Sequence, residues 1–415
     1  MPDAKVASPV IRALRYAPPE VVRAFEVSRR EPVRIAPLDG LRGVAILLVL
    51  VHNTGTVSGE LSSAGLRLWA SLVNTGWVGV QLFFALSGFL ITRILLDSTG
   101  ADGYFRRFYM RRLLRIFPLY YVALAVVFLV APHVGGLETL AERGSRSPLW
   151  YWTYLANWAQ PFGGLVPSLG HFWSLAVEEQ FYIVWPALVL VLRERSLAIL
   201  CTVMVLGALA ARLAFFAIFE PTTAGSAAYY LTIARCDALA MGAAIALVVR
   251  HPRAMATAVR WGWRAVGATV VALAGMVLTQ HGLSPFEFSI ATIGQTMLGM
   301  LSAALVLLCV APSTRGATAR WQRAMSAAWL RSVGKYSYAM YVIHLPLNRL
   351  LRPRVARALA SGSATIRLGG HVGHVFGIFA LSYVLALVSW QLIEQPFLNL
   401  KRLFPMPTRS TPAAA

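Results

Sequence analysis

Residues 197–219 read LAILCTVMVLGALAARLAFFAIF, and residues 288–310 form a second run of the same kind. Runs of about 20 apolar residues are long enough to cross roughly 30 Å of hydrocarbon. Inside lipid such a run must be helical, because every backbone amide needs a partner within the segment. Composition agrees: of 415 residues, 57% are hydrophobic and 13% charged, and mean hydropathy is +0.62. A soluble domain of this size needs more charge to cover its surface.

Working outward, ten such stretches are expected, at about 40–58, 76–97, 113–131, 171–192, 197–219, 229–249, 264–280, 288–310, 336–352 and 373–394. The expected fold is therefore all-α, a polytopic transmembrane bundle of about ten spans. Basic residues follow every second span: Arg106 to Arg115, Arg193 and Arg195, Arg250 to Arg264, Arg315 to Lys335, and Lys401 with Arg402. By the positive-inside rule these exits and both termini are cytoplasmic, as in a multi-pass protein of the bacterial inner membrane. The segment 349–372 departs from this pattern, because it carries Arg349, Arg352, Arg354, Arg357 and Arg367 yet falls on the outer side. Residues 149–158 (LWYWTYLANW) are too short to span and suit an interfacial or re-entrant piece. The organisation expected is a basic cytoplasmic extension over 1–34, a membrane domain over 35–400 and a short tail over 401–415.

The net charge of +21 is explained by these topogenic clusters, and no nucleic-acid-binding pattern accompanies it. Cys201, Cys236 and Cys309 lie in apolar stretches without metal or redox spacing. His371 and His374 have metal-compatible spacing but no further ligand beside them, so no metal is expected.

Ionisable groups inside apolar spans are costly and suggest function. In the first span Asp39 and Arg42 lie one helical turn apart and can pair, and His52 follows about 15 Å further along. A neutral imidazole there is either a structural hydrogen-bond partner or a general base. In the fourth span Glu178 shares a face with Ser174 and Tyr182, while Glu179 points about 100° away. These carboxylates are either buried anchors or part of a polar site. Arg112 and Arg115 share a face, as paired guanidiniums that grip phosphate do; topogenesis and anionic lipid are the alternatives. Asp237 and His344 are further intramembrane candidates for a cavity. Ser87-Gly88 reads as close helix packing.

Seven stretches together resemble the integral-membrane acyltransferase family 3, whose members O-acylate bacterial glycans and some metabolites. They are LDGLRGVAILLVLVH (38–52), GVQLFFALSGFLIT (79–92), RRLLRIFPLYY (111–121), WSLAVEEQFYIVWP (173–186), RCDALAMGAAIA (235–246), YSYAMYVIHLPL (336–347) and IEQPFLNL (393–400). The resemblance implies catalytic roles for Arg42, His52 and Glu178, and donor binding by Arg112 and Arg115 with Asp39 beside Arg42. Glu179, Ser174, Tyr182, Asp237 and His344 are the further cavity candidates. In the family the first-span Arg and His lie about eleven residues apart. Here the spacing is ten, which on a regular helix turns His52 roughly 100° from that relationship.

The function so implied is transfer of an acyl group, most simply acetyl, from cytosolic acyl-CoA to a carbohydrate hydroxyl. Its partners are membrane lipid, acyl-CoA and the carbohydrate acceptor, with no nucleic acid. His52 would act as general base or transient acyl carrier, and Glu178 would orient it or shuttle protons. The alternative is a proton-coupled transporter, which intramembrane Arg, His and Glu also suit; against it, neither an inverted repeat nor paired broken helices are evident.

Overall fold

The computed structural model describes residues 35–55, 63–141, 147–280, 283–313, 315–359 and 362–405; the expected extension and most of the expected tail lie outside them. Among the described residues the regular structure is helical. The principal helices are α1 (Ala36–Thr54), α2 (Ala64–Thr75), α3 (Val78–Ser98), α4 (Tyr104–Ala125), α5 (Phe172–Val191), α6 (Glu194–Ile218) and α7 (Pro221–Tyr230). They continue with α8 (Thr232–Val248), α9 (Pro252–Gln280), α10 (Gln295–Val310), α11 (Gly316–Met325), α12 (Ala328–Leu359), α13 (Ala364–Ser389) and α14 (Gln395–Asn399).

Among the described residues each of the ten expected stretches falls mainly on one long helix, and eight helical segments are long and apolar enough to cross a membrane; α9 and α12 are not among them. Both have the length, but arginines interrupt their apolar runs. The middle of α12 is also buried against other helices, where apolarity towards lipid is not required. The outer faces carry the lipid-compatible surface: Ile183, Val191, Ile199, Val203 and Leu206 are all exposed. Exposed apolar bands of this kind mark a membrane surface.

Two loop expectations change. The segment 57–75 contains α2, whose Trp69 Nε1 donates to the Gly55 carbonyl (2.8 Å) and so closes it back on α1. Much of 349–372 is helical, because α12 continues to Leu359 and α13 starts at Ala364. The aromatic segment near 149–158 forms two single-turn helices, Leu149–Trp152 and Ala156–Ala159.

Glycines set the crossings that position the site. A Cβ on Gly40 would lie 1.7 Å from the Met325 carbonyl oxygen, and one on Gly334 would lie 1.8 Å from that of Asp39. Only glycine lets α1 meet the end of α11 at Gly40 and α12 at Gly334 so closely. On α3, a Cβ at Gly88 would lie 1.9 Å from the Leu239 oxygen, and on α8 one at Gly242 would lie 2.0 Å from the Ala85 oxygen. Close backbone approach through small residues is the usual device where lipid supplies no hydrophobic drive for helix association.

The core also holds an ion pair within these crossings. Arg212 of α6 donates to Asp237 (2.8 Å), the Ala234 carbonyl and Thr296, and both charged side chains are 0% exposed. Arg235 is boxed by the rings of Phe84, Trp173 and Tyr229 at 5.2–5.5 Å and bonds to Gln295. A buried guanidinium stays charged when aromatic faces and amide oxygens surround it.

Candidate active site

Arg42 sits on α1 between Gly40, pressed against Met325 of α11, and Gly43, pressed against Leu330 of α12, and lines a cavity of about 100 Å³. Arg112 and Arg115 of α4 line the same cavity, as do Ser174, Glu178, Glu179 and Tyr182 of α5. Arg42 and Asp39 pair at 3.3 Å. Among the described residues no ion pair within 4 Å joins Arg112 or Arg115 to either glutamate. The Arg112 guanidinium instead lies over the Tyr182 ring at 5.2 Å. Tyr182 hydroxyl also bonds to Ser87, so Ser87 lines the cavity while Gly88 does the packing. One carboxylate oxygen of Glu179 is buried without a hydrogen-bond partner. The π turn Trp390–Glu394 at the end of α13 brings a further carboxylate, Glu394, within electrostatic range of Arg115. Guanidiniums lining a cavity within the low-dielectric interior of a helix bundle attract anions more strongly than they would in bulk water.

A second cavity, about 610 Å³, lies towards the other end of α1. His52 and Asn53 line it, with Asn74, His171, Trp77 and Trp173. His52 Nδ1 lies 3.0 Å from the carbonyl oxygen of Val73. A carbonyl only accepts, so Nδ1 carries the proton and Nε2 of the neutral ring is a lone pair. His344 holds the same tautomer, but both of its ring nitrogens are occupied. Its Nδ1 donates to the Tyr341 carbonyl (2.7 Å), and its Nε2 accepts from Asn53 (3.1 Å). Asn348 then donates to the Asn53 carbonyl (3.0 Å) and accepts from His374 (2.7 Å). This chain clamps the end of α1 against α12 and α13.

Val80 and Tyr341 line both cavities. Tyr341 is fixed there, its hydroxyl bonded to the His171 carbonyl (2.9 Å) and to Ser174 Oγ (2.5 Å). Arg235 stands behind the same partition, since Phe84 of its aromatic box lines the smaller cavity while Trp173 and Tyr229 line the larger.

The structure thus gathers Arg42, Arg112, Arg115, Ser174, Glu178, Glu179 and Tyr182 in one place. His52 is not among them: it faces the second cavity, and no hydrogen bond joins it to Glu178. The ten-residue spacing on a regular α1 accounts for the separation from Arg42. Asp39 pairs with Arg42 beside the cavity rather than lining it. Asp237 and His344 line neither cavity, because each is consumed by a buried partner. Sequence reasoning treated Ser87 as packing alone, and it passed over Arg212, His171, Tyr341 and Glu394. The imidazole of His171 lines the second cavity with neither ring nitrogen in a hydrogen bond of good geometry. Its position at the head of the motif containing Glu178 was the available signal.

Residues 35–392 match the family described as an acyltransferase domain, acyltransferase family 3. Among curated proteins the chain is similar to YrhL of Bacillus subtilis (strain 168), a candidate peptidoglycan O-acetyltransferase, at 29% identity over 377 residues, covering 87% of this chain and 54% of that protein. It is 27% identical over 385 residues to the peptidoglycan O-acetyltransferase OatA of Listeria monocytogenes, covering 87% and 55%. It is 26% identical over 394 residues to BcsY of Komagataeibacter xylinus, a candidate membrane-bound transacylase, covering 91% and 86%. The chain spans about half the length of the first two relatives. No solved structure matches it. With the family's domain matched over most of its length, from the start of α1 to the end of α13, the chain belongs to the acyltransferase family 3.

Proposed function

We propose that this protein moves an acetyl group from acetyl-CoA, held at the arginine-lined cavity, onto a carbohydrate hydroxyl held in the His52 cavity. The observation that carries this reading is the pair of cavities placed back to back, sharing Val80 and Tyr341. Arg112 and Arg115 grip phosphate of the donor, and the small void takes the thioester end. The basic exits of the bundle favour a cytoplasmic face for this end. The larger cavity offers flat aromatic faces, Trp77, Trp173, Tyr229 and Tyr230, beside polar Asn74 and Glu287. That mixture suits a sugar, whose C–H faces are apolar and whose rim is hydroxyl. Two relatives are named for peptidoglycan O-acetylation, which supports a glycan acceptor.

In the reaction, His52 Nε2 takes the proton of the acceptor hydroxyl. The oxygen attacks the thioester carbonyl, the C–S bond breaks, and the coenzyme thiolate leaves towards Arg42. Glu178, beside Ser87 and the arginines, gives its own carboxyl proton to that thiolate; it is then reprotonated from solvent on the donor side, while His52 releases the acceptor's proton on the other side. Detergent-purified protein supplied with acetyl-CoA and soluble peptidoglycan fragments or cello-oligosaccharides tests this. Free thiol should appear only with acceptor present, in step with acetylated glycan by mass spectrometry. Absence of thiol release with every acceptor would refute the reading.

A further inference from the structure

The partition between the cavities has two sides of different character. Tyr341 is pinned by two hydrogen bonds, to the His171 carbonyl and Ser174, and its ring meets Phe83 edge-on at 6.1 Å. Val80 is held by packing alone, 6% exposed. The backbone beneath it has no room to shift. A Cβ on the preceding Gly79 would lie 2.4 Å from the Ala45 oxygen, and one on Gly76 would lie 2.3 Å from the Leu48 oxygen, so α3 is pressed onto α1 at this level. The width of the partition therefore depends on the side chain at position 80.

The lining of the small cavity combines arginines and glutamates with Val80, Phe83, Phe84, Ile116 and Leu175, which supply an apolar seat. A cavity of about 100 Å³ suits a short acyl group, and a longer chain extending towards the second cavity meets Val80 and Tyr341.

We propose that Val80 is the specificity-determining residue for the acyl group. Its two methyls close the seat behind a short acyl chain and set the aperture through which the acyl carbon meets the acceptor. This rests on the acyltransferase reading above and names which donors that site selects. Pockets that discriminate by one methylene typically do so by about 10–200-fold, so removing the two methyls should be visible in kcat/KM.

The test measures thiol release by the full chain in detergent with acetyl-, propionyl-, butyryl- and hexanoyl-CoA, all with the same glycan acceptor. In the wild type acetyl-CoA should be preferred. Val80→Ala should raise the butyryl-to-acetyl ratio of kcat/KM by roughly tenfold or more. Val80→Ile, which keeps the branch and adds one methylene, should tighten the preference for acetyl. Val80→Phe should suppress transfer while inhibition by free coenzyme A stays within about twofold of wild type, which shows the donor site intact. An unchanged chain-length profile in Val80→Ala and Val80→Ile protein that still turns over acetyl-CoA would overturn the proposal and leave the acyltransferase reading standing. If wild-type protein releases thiol from none of the four donors, the acyltransferase reading fails, and this assignment falls with it.

Discussion

His52 donates its Nδ1 proton to the carbonyl oxygen of Val73 across 3.0 Å. The second helix therefore dictates the tautomer of an imidazole on the first, and Nε2 is left as the basic atom. His52→Gln keeps a hydrogen-bonding group but cannot carry the proton. Acetyl transfer should fall by about 10²–10⁴-fold, with the thermal unfolding midpoint in detergent little changed. Wild-type turnover by folded His52→Gln protein would make the histidine structural.

Arg112→Ala and Arg115→Ala should act on the donor. Each removes a charge-assisted contact to phosphate, worth on the order of 1.5–3 kcal/mol. The KM for acetyl-CoA should rise by roughly ten- to a hundredfold, with a smaller change in kcat. Steady-state kinetics at saturating acceptor provide the check, and an unchanged KM in both variants would leave these arginines a topogenic role alone.

The buried pair of Arg212 and Asp237 should behave as a unit. Arg212→Met alone strands a carboxylate, and Asp237→Leu alone strands a guanidinium; either should cost about 3–5 kcal/mol. The double variant removes both charges and should recover most of the lost thermal stability. A double variant as unstable as the sum of the singles would show that the pair is not the stabilising unit.

Gly334→Ala should be damaging out of proportion to its size. Its Cβ would enter the space of the Asp39 carbonyl at 1.8 Å, and overpacking typically costs about 1–3 kcal/mol. Because Asp39 and Arg42 ride on the displaced turn of α1, activity should fall along with the detergent melting temperature. Retention of both would mean that α1 and α12 are not locked at this crossing.

Much of the fold was legible because lipid imposes a simple rule. Runs such as 197–219 must be helices, and they are. The rule is weaker for α9 and α12, where charges interrupt the run, and silent on α2, whose pattern is amphipathic. The site was legible by face: one helical face of α5 presents Ser174, Glu178 and Tyr182, and one turn of α4 presents Arg112 and Arg115. Which faces meet is a tertiary matter. Arg212 passed unremarked inside an apolar run, and only the fold supplies Asp237 as its partner. His344 looked like a site residue until Asn53 and the Tyr341 carbonyl were seen to occupy both its nitrogens. The ten-residue spacing signalled that His52 would part from Arg42, but not that Val80 and Tyr341 would stand between the two cavities.

That separation is the core of the account, and vectorial transfer tests it most directly. The protein would be reconstituted into sealed liposomes with glycan acceptor trapped inside and radiolabelled acetyl-CoA supplied only outside. The account predicts label on the internal glycan and free coenzyme A thiol in the external medium, both lost in the His52→Gln protein. Label on glycan only when donor and acceptor share a compartment would contradict it, because both substrates would then be reaching one site from the same side.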